Sequence, residues 1–380
     1  MNILLIGCTG FFGKGLIHYL LTNTKHYLII GLRPKNGLSI EERIKNILKT
    51  LNLEYIKERI KIINVDYDNS RNIIISNENK YFLEDNIEII LNGLADIKFN
   101  RQLKKAVMNN TLTALNWLDF FKNCKKAKKY IYISTAFVNY HLENIKIVKE
   151  KVYEKHMSEN TLEDILNDKD ICIKPYYNTY LYSKQLTEIL LLKRKGDIKL
   201  SIFRPSVITP AIKYPYSGWS EIQTFSFQIF AIGTGILPFW IFKNSIKKNN
   251  INIIPVDIAS KDCILMINNE NNAIKHSCLT GNNDYSISFL DIIKIYEKAY
   301  LYYKNNPVYI NNKKYITYYP FSTKDNSYIN IIILFIYYII NRFKKRKSIN
   351  DFLKELILSY KITTEFSKHI SFFISKKIIF

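Results

Sequence analysis

The 380-residue chain reads as an α/β protein, a doubly wound parallel sheet followed by a smaller, mainly helical C-terminal region. Three observations predict this fold class. A glycine-rich turn, Gly7-Cys8-Thr9-Gly10-Phe11-Phe12-Gly13, stands between a short apolar strand and an apolar helix. Near-continuous apolar runs recur as far as Arg204, and strands of that kind are covered on both faces. Helix-period segments separate them, as crossovers between parallel strands require.

Taken in order, Asn2 to Ile6 is the first strand, Gly13 to Leu21 the helix after it, and Tyr27 to Leu32 the second strand. Ser39 and Glu42 have capping-box spacing at the start of a second helix, whose apolar face is Ile40, Ile44, Ile47, Leu48 and Leu51. Ile60 to Val65 is strand three. The polar, Asn-rich stretch Tyr67 to Asp85 reads as a loop or irregular crossover. Ile87 to Leu91 is strand four, Gln102 to Phe121 a helix, and Lys129 to Ser134 strand five. After a long, partly polar insertion, the helix Thr179 to Arg194 leads into strand six, Leu200 to Arg204. Beyond Ser206 shorter aromatic and Pro/Gly-punctuated pieces fit a substrate lobe at the sheet's C-terminal edge. Residues 1–283 are therefore expected to form one unit with an interleaved lobe, and 284–380 a short helical region.

Composition narrows the function classes. The formal charge of +22 comes mostly from lysines spread along the chain beside abundant Asn, Ile and Tyr, a mix that AT-rich coding produces. Because the charge is not gathered into a stripe, no nucleic-acid partner is expected. Five cysteines, odd in number and without a CxxC pair, point to a reducing intracellular compartment. The six histidines show no ligand spacing, so no metal site is expected. The apolar N-terminus lacks a basic leader and reads as a strand, not a signal peptide.

The turn from Gly7 to Gly13 has the spacing of a dinucleotide site. Gly7 permits the tight turn, Gly10 lets the backbone approach a pyrophosphate, and Gly13 lets helix and strand pack closely, with Thr9, Phe11 and Phe12 completing the loop. An enzyme using NAD carries an acidic residue after the second strand, about 20 positions past the glycines. This chain has Arg33 and Lys35 there, and cations suit a 2′-phosphate, so the expected cofactor is NADPH. Asp66 is a candidate adenine or ribose contact.

Tyr180 and Lys184 are four residues apart at a helix start and share a face. A tyrosine with its ordinary pKa near ~10 exchanges protons poorly at neutral pH unless a cation shifts it. Lys184 is that cation, and it can also hold the nicotinamide ribose. The preceding strand ends in Ser134 and Thr135. Thr135, with Ser134 the second choice, is placed to hydrogen-bond a substrate carbonyl. Asn110 either steadies a water or the Lys184 ammonium, or is an ordinary surface asparagine.

These strings resemble the fatty acyl-CoA reductases, the male-sterility-protein-like branch of the extended short-chain dehydrogenases. TGFFGKGL, LRPKNG with EERI, IKFN with LKKAV, YISTAFVN, NTYLYSKQLTE, FRPSVI, YPYSGW, GTGIL and PVD run in order to about residue 260. Thioester reductase domains of carboxylate-reducing multienzymes share the first part of the pattern. The resemblance implies a Rossmann-type fold and reduction of long-chain acyl-CoA by NADPH, through an aldehyde, to a primary alcohol; the alternatives are an NADP-dependent dehydrogenase or epimerase acting on a sterol or nucleotide-sugar, and a non-catalytic dinucleotide-binding protein. It implies Tyr180 as proton donor, Lys184 as its tuner and ribose ligand, Thr135 as carbonyl partner, and Pro205 beside the nicotinamide. Two positions depart from the family: Val65 stands where a glycine is usual, and Leu94 replaces a small residue in NGLADIKF, where it crowds the nicotinamide side.

Tyr328 to Ile340 is apolar apart from Asn330 and is followed by basic residues from Arg342 to Lys347. Thirteen residues fall short of the ~20 that span a bilayer. The segment is either an interfacial anchor or a buried helix of the C-terminal region. The insoluble acyl substrate favours the anchor, and with it an organelle membrane over the cytoplasm.

Overall fold

The computed structural model describes residues 1–221 and 252–279 apart from 56–57, 100, 140–141, 143–147 and 154–156, together with Ser288, Asp291 and the strand residues 309–310 and 313–314. The chain divides into two compact units. The first comprises Met1–Glu221, Ile253–Gly281 and Ile378–Phe380, and the second Ile222–Asn252 and Asn282–Lys377. The described part of the second unit is small and includes the antiparallel pair Tyr309–Ile310 and Lys313–Lys314. The segments expected to be helical from Asp284 and apolar from Tyr328 to Ile340, with the basic run after them, lie outside the described residues.

Seven parallel strands form the sheet of the first unit: β1 (Asn2–Ile6), β2 (Tyr27–Leu32), β3 (Ile60–Asn64), β6 (Ile89–Asn92), β7 (Lys129–Ile133), β8 (Lys199–Pro205) and β11 (Ala273–Ser277). They lie in the order β11-β8-β7-β6-β1-β2-β3, and β9 (Val207–Thr209) pairs with β10 (Ile253–Pro255) outside this sheet. The order reverses between β1 and β6, so a switch point opens at their C-terminal ends, where ligands of doubly wound sheets bind.

Side chains alternate across this sheet and each face has its own cover. Ile3 and Leu5 of β1, Leu28 and Ile30 of β2, and Ile131 and Ile133 of β7 pack with helices α1 (Phe11–Asn23), α2 (Ile40–Thr50) and α8 (Val256–Leu265). Gly15 permits the contact of α1 with α8: a Cβ there would meet Ser260 Oγ at 2.7 Å and Val256 Cγ2 at 2.8 Å. On the opposite face, Tyr130 donates its hydroxyl proton to Ala114 O of α5 (Thr113–Lys122) at 2.8 Å. Tyr132 meets α7 (Thr179–Arg194) through Lys184. The capping box at Ser39 and Glu42 forms, with both reciprocal bonds present.

Four stretches differ from the sequence reading. The stretch read as loop holds a small hairpin, β4 (Asp66–Tyr67) with β5 (Ile73–Ile74), and a helix, α3 (Asn77–Asn86), capped by Ser76. Leu83 is the only residue of α3 that is buried, so an apolar stripe was absent from the sequence. A seventh strand, β11, closes the β8 edge; Lys275 and His276 within it masked the apolar pattern. In the expected helix from Gln102 to Phe121, α4 (Leu103–Val107) and α5 are joined by a π-helical turn, Met108–Leu112. The polar insertion also carries a short helix, α6 (Glu159–Leu166). Among the described residues, no helix is long and apolar enough to cross a membrane.

Candidate active site

The glycine turn follows β1 at the switch point, and its three glycines answer to different physical demands. Gly7 has φ +85°, and a Cβ there would stand 2.5 Å from the Gly93 carbonyl carbon in the loop after β6. A Cβ on Gly13 would stand 2.3 Å from Gly7 O. Gly10 is unlike both, because its nearest neighbour would be Gly7 O at 3.8 Å. It is the N-cap of α1, where no side chain caps the helix, so the first-turn N–H groups remain for an anion. Thr9 and Gly10 are exposed. Phe11 packs on Trp219 with ring centroids 4.8 Å apart, and Phe12 stacks on Phe203 at 5.8 Å. Both aromatic side chains thus belong to the packing, and what they offer a cofactor is their backbone.

Arg33, just past β2, donates to Asp66 Oδ1 across 3.2 Å, with the two side chains 51% and 48% exposed. Such an exposed pair contributes at most about 1 kcal/mol, so Arg33 can exchange Asp66 for a phosphate. Arg43 of α2 donates to Arg33 O and steadies the turn. Lys35 is exposed, its backbone paired with Leu38.

Helix α7 starts where it must for Tyr180 and Lys184 to face the sheet. Asn178 is its N-cap, accepting from Leu181 N at 2.9 Å. The Lys184 ammonium is buried, donates to Ile133 O at 2.7 Å, and lies 4.5 Å from the Tyr132 ring centroid and 6.0 Å from that of Tyr180. Burial pushes its pKa down to about 7, against an upward pull from Glu188. Burial also pushes the Tyr180 phenol above its ordinary value, opposed by a hydrogen bond with the Thr135 side chain. The expectation that Lys184 lowers the phenol is therefore not what the protein alone shows. Desolvation outweighs the Thr135 hydrogen bond, so the phenol keeps its proton.

Thr135 and Ser134 are both buried at the end of β7. Ser134 N donates to Phe203 O at 2.7 Å, while its hydroxyl has no hydrogen-bond partner. Pro205 ends β8 and is buried in register with Ser277 of β11. Asn110 corrects the reading of it as a surface asparagine. It is fully buried in the π-helical turn, donates to Ser183 Oγ at 2.8 Å and accepts from Asp96 N at 2.7 Å. It thereby ties the loop after β6 to α7 instead of touching Lys184.

Sequence reasoning assigned no role to several residues that build this site. Asp96 accepts from Arg101 Nε at 2.6 Å and from Asn109 Nδ2 at 3.1 Å, and Thr179 Oγ1 donates to Arg101 O at 2.8 Å. Together they fix the loop after β6 against the start of α7, where Phe99 lies 5.9 Å from Tyr180. Asp257, at the N-terminus of α8, accepts from the backbone of Ile212, Lys213 and Tyr214. Glu188 forms an ion pair with Arg204, both wholly buried. A signal existed for the last: Glu188 is four residues past Lys184, on the same face.

Known proteins resemble the chain in sequence and in fold. Residues 5–263 match the family model described as male sterility protein. Fatty acyl-CoA reductase 2 of Mus musculus is 31% identical over 67% of this chain and 52% of its own length. Human fatty acyl-CoA reductase 1 is 27% identical over 74% of this chain and 58% of its own. The chain thus spans between half and three-fifths of these relatives' length. Among solved structures, the terminal R domain of the myxalamid biosynthetic pathway superposes with TM-score 0.58 at 19% identity, covering 79% of this chain and 70% of that one. UDP-glucuronic acid 4-epimerase of Bacillus cereus gives 0.54 at 19% identity, over 79% and 84%. The structures share the fold; the match over most of the sheet-forming sequence places the chain in the male sterility protein family, with the fatty acyl-CoA reductases.

Proposed function

We propose that the protein is an NADPH-dependent oxidoreductase that reduces long-chain fatty acyl-CoA to the fatty alcohol by way of the aldehyde. The observation that carries this reading is the cluster of the buried Thr135 and Lys184 with the half-buried Tyr180, on the same sheet edge as a glycine turn that is open at Gly10.

The residues present fit a nicotinamide dinucleotide. The α1 N-terminus has no side-chain cap, and Ser134 and Ser206 carry buried hydroxyls without hydrogen-bond partners, groups that a polar ligand would satisfy. Gly7, Thr9, Gly10 and the backbone from Phe11 to Gly13 would hold the pyrophosphate, and Arg33 and Lys35 the 2′-phosphate. Asp66 would meet the adenosine, Lys184 the nicotinamide ribose, and Pro205 the ring. Bound NADPH supplies the hydride for each reduction.

The protein's own part is to stabilise the charge that the substrate oxygen gains. Tyr180 keeps its proton in the resting site and gives it to that oxygen, and Thr135 orients both the phenol and the carbonyl; in the first reduction the C–S bond then breaks and CoA leaves as its thiol with that proton, and in the second the proton stays on the alcohol oxygen. The Lys184 ammonium, held by Ile133 O, adds positive charge beneath them. An organelle membrane is the proposed location, supported by the insoluble substrate and by the apolar stretch and basic run after residue 327.

Loss of NADPH absorbance, followed with long-chain acyl-CoA, sterol and sugar-nucleotide substrates, tests the reading. Turnover is expected with acyl-CoA alone, and mass spectrometry should find the alcohol. Tyr180→Phe should lower kcat by roughly 10²–10⁴-fold. NADPH oxidation with sugar nucleotide alone, or full activity in Tyr180→Phe, overturns it.

A further inference from the structure

One helical turn beyond Lys184, the Glu188 carboxylate is bound at both oxygens by Arg204 of β8, with Nε 3.0 Å from Oε1 and Nη2 on Oε2. Both side chains are 0% exposed. Arg204 also donates to Lys151 O at 3.0 Å and meets His276 Nε2 at 3.3 Å. Burial first, then Arg204, pushes the His276 pKa down to about 3, so the ring accepts as a neutral group. Beyond it, Glu150 accepts from His276 N at 2.9 Å.

The ionisable groups around Lys184 come from each element packed on it. Tyr132 faces it from β7, Tyr180 and Glu188 share α7 with it, and Arg204 lies behind Glu188 on β8. Stability alone is a weak reason for a buried ion pair, since apolar replacements are often as stable or more so. Here the pair has a specific neighbour: Glu188 is the charge that opposes the burial of the Lys184 ammonium.

We propose that Glu188 and Arg204 are positioning residues that set the charge state of Lys184, with Glu188 holding the ammonium protonated and Arg204 limiting that hold by neutralising Glu188. The inference rests on Lys184 serving the reduction proposed above. Its signature is a pair of opposite shifts. Glu188→Gln keeps an oxygen for Arg204 but removes the negative charge, so Lys184 should lose its proton at lower pH. Arg204→Met leaves Glu188 uncompensated, so Lys184 should keep its proton to higher pH.

The test is an NMR titration of the full chain carrying ¹³Cε-labelled lysine, with the Lys184 signal identified by its loss in Lys184→Met. The Glu188→Gln midpoint should fall by about 1–2 pH units, the size expected for one charge roughly 6–10 Å away at an effective dielectric near 20. The Arg204→Met midpoint should rise. If that variant does not fold, the double variant Glu188→Leu with Arg204→Met decides: its midpoint should lie closer to that of the unaltered protein than the Glu188→Gln midpoint does. Unmoved midpoints, both single variants shifting the same way, or a double variant as displaced as Glu188→Gln overturn the inference. The alkaline limb of acyl-CoA turnover, measured in parallel, separates the two readings. Midpoints that shift as expected in a protein without acyl-CoA turnover sink the proposed reaction and leave the electrostatic role standing. Turnover with fixed midpoints sinks the electrostatic role alone.

Discussion

At the β1 end of the cleft the backbone sets the geometry, through glycines whose missing Cβ atoms let two loops and a helix start touch, whereas at the β7 and β8 ends it is set by buried side chains that bind one another: Lys184 on Ile133 O, Asn110 on Ser183, Arg204 on Glu188. The first end is steric and indifferent to pH. The second is electrostatic, and its partners must hold the right protons. Changes at the two ends should therefore fail in different ways.

The largest expected effect is steric. Gly13→Ala puts a methyl 2.3 Å from Gly7 O and 2.7 Å from Cys8 Cα, both backbone atoms that cannot step aside. It should cost about 3 kcal/mol or more of folding free energy, read by urea denaturation with and without NADPH. A variant as stable as the parent would show that the turn is looser than its contacts imply.

The electrostatic end should give the next largest effect, and only in acid. His276 is buried and its pKa falls from 6.5 to about 3 on folding. Between those values the unfolded chain binds the proton and the folded protein does not. The associated stability is complete above about pH 6.5 and is lost as pH falls toward 3, by roughly 2–3 kcal/mol between pH 6.5 and 4.5. Urea midpoints from pH 7.5 to 4.5 should fall steeply, and His276→Asn should flatten the slope. An equal slope in both proteins would assign the acid lability elsewhere.

This contrast also governs what was legible in the sequence. The glycine turn could be read directly, because spacing along the chain is the whole of its signal, and so could Tyr180 and Lys184, neighbours on one helix face. Asn110 was misjudged because its partners, Asp96 and Ser183, lie 14 and 73 positions away. Helix α3 was missed because it buries one side chain, and β11 because an edge strand tolerates charged residues. Local physics writes itself into adjacent residues, and tertiary polar networks do not.

Within the glycine turn a smaller effect should separate folding from binding. Gly10→Ala meets nothing nearer than 3.8 Å, so it should fold as stably as the parent, within about 0.5 kcal/mol. The added methyl stands where a pyrophosphate would approach, so NADPH affinity should drop about tenfold. Isothermal titration checks this, and unchanged affinity would remove Gly10 from the cofactor site.

The smallest expected effect concerns Leu94, which lies where the two kinds of construction meet. Its backbone N–H is held by Asn92 Oδ1 at 3.1 Å, and Asn92 in turn donates to the Tyr130 hydroxyl at 2.7 Å, so a buried polar chain fixes the loop whatever side chain position 94 carries. The Leu94 side chain is half-buried, beside the Gly93 carbonyl that Gly7 is shaped to admit. Leu94→Ala should leave the loop in place and relieve crowding at the cofactor. NADPH affinity should then rise a few-fold, about 0.5–1 kcal/mol, with kcat little changed. Weaker binding would mean instead that the leucine packs on the cofactor, and that the departure from a small residue is a contact and not an obstruction.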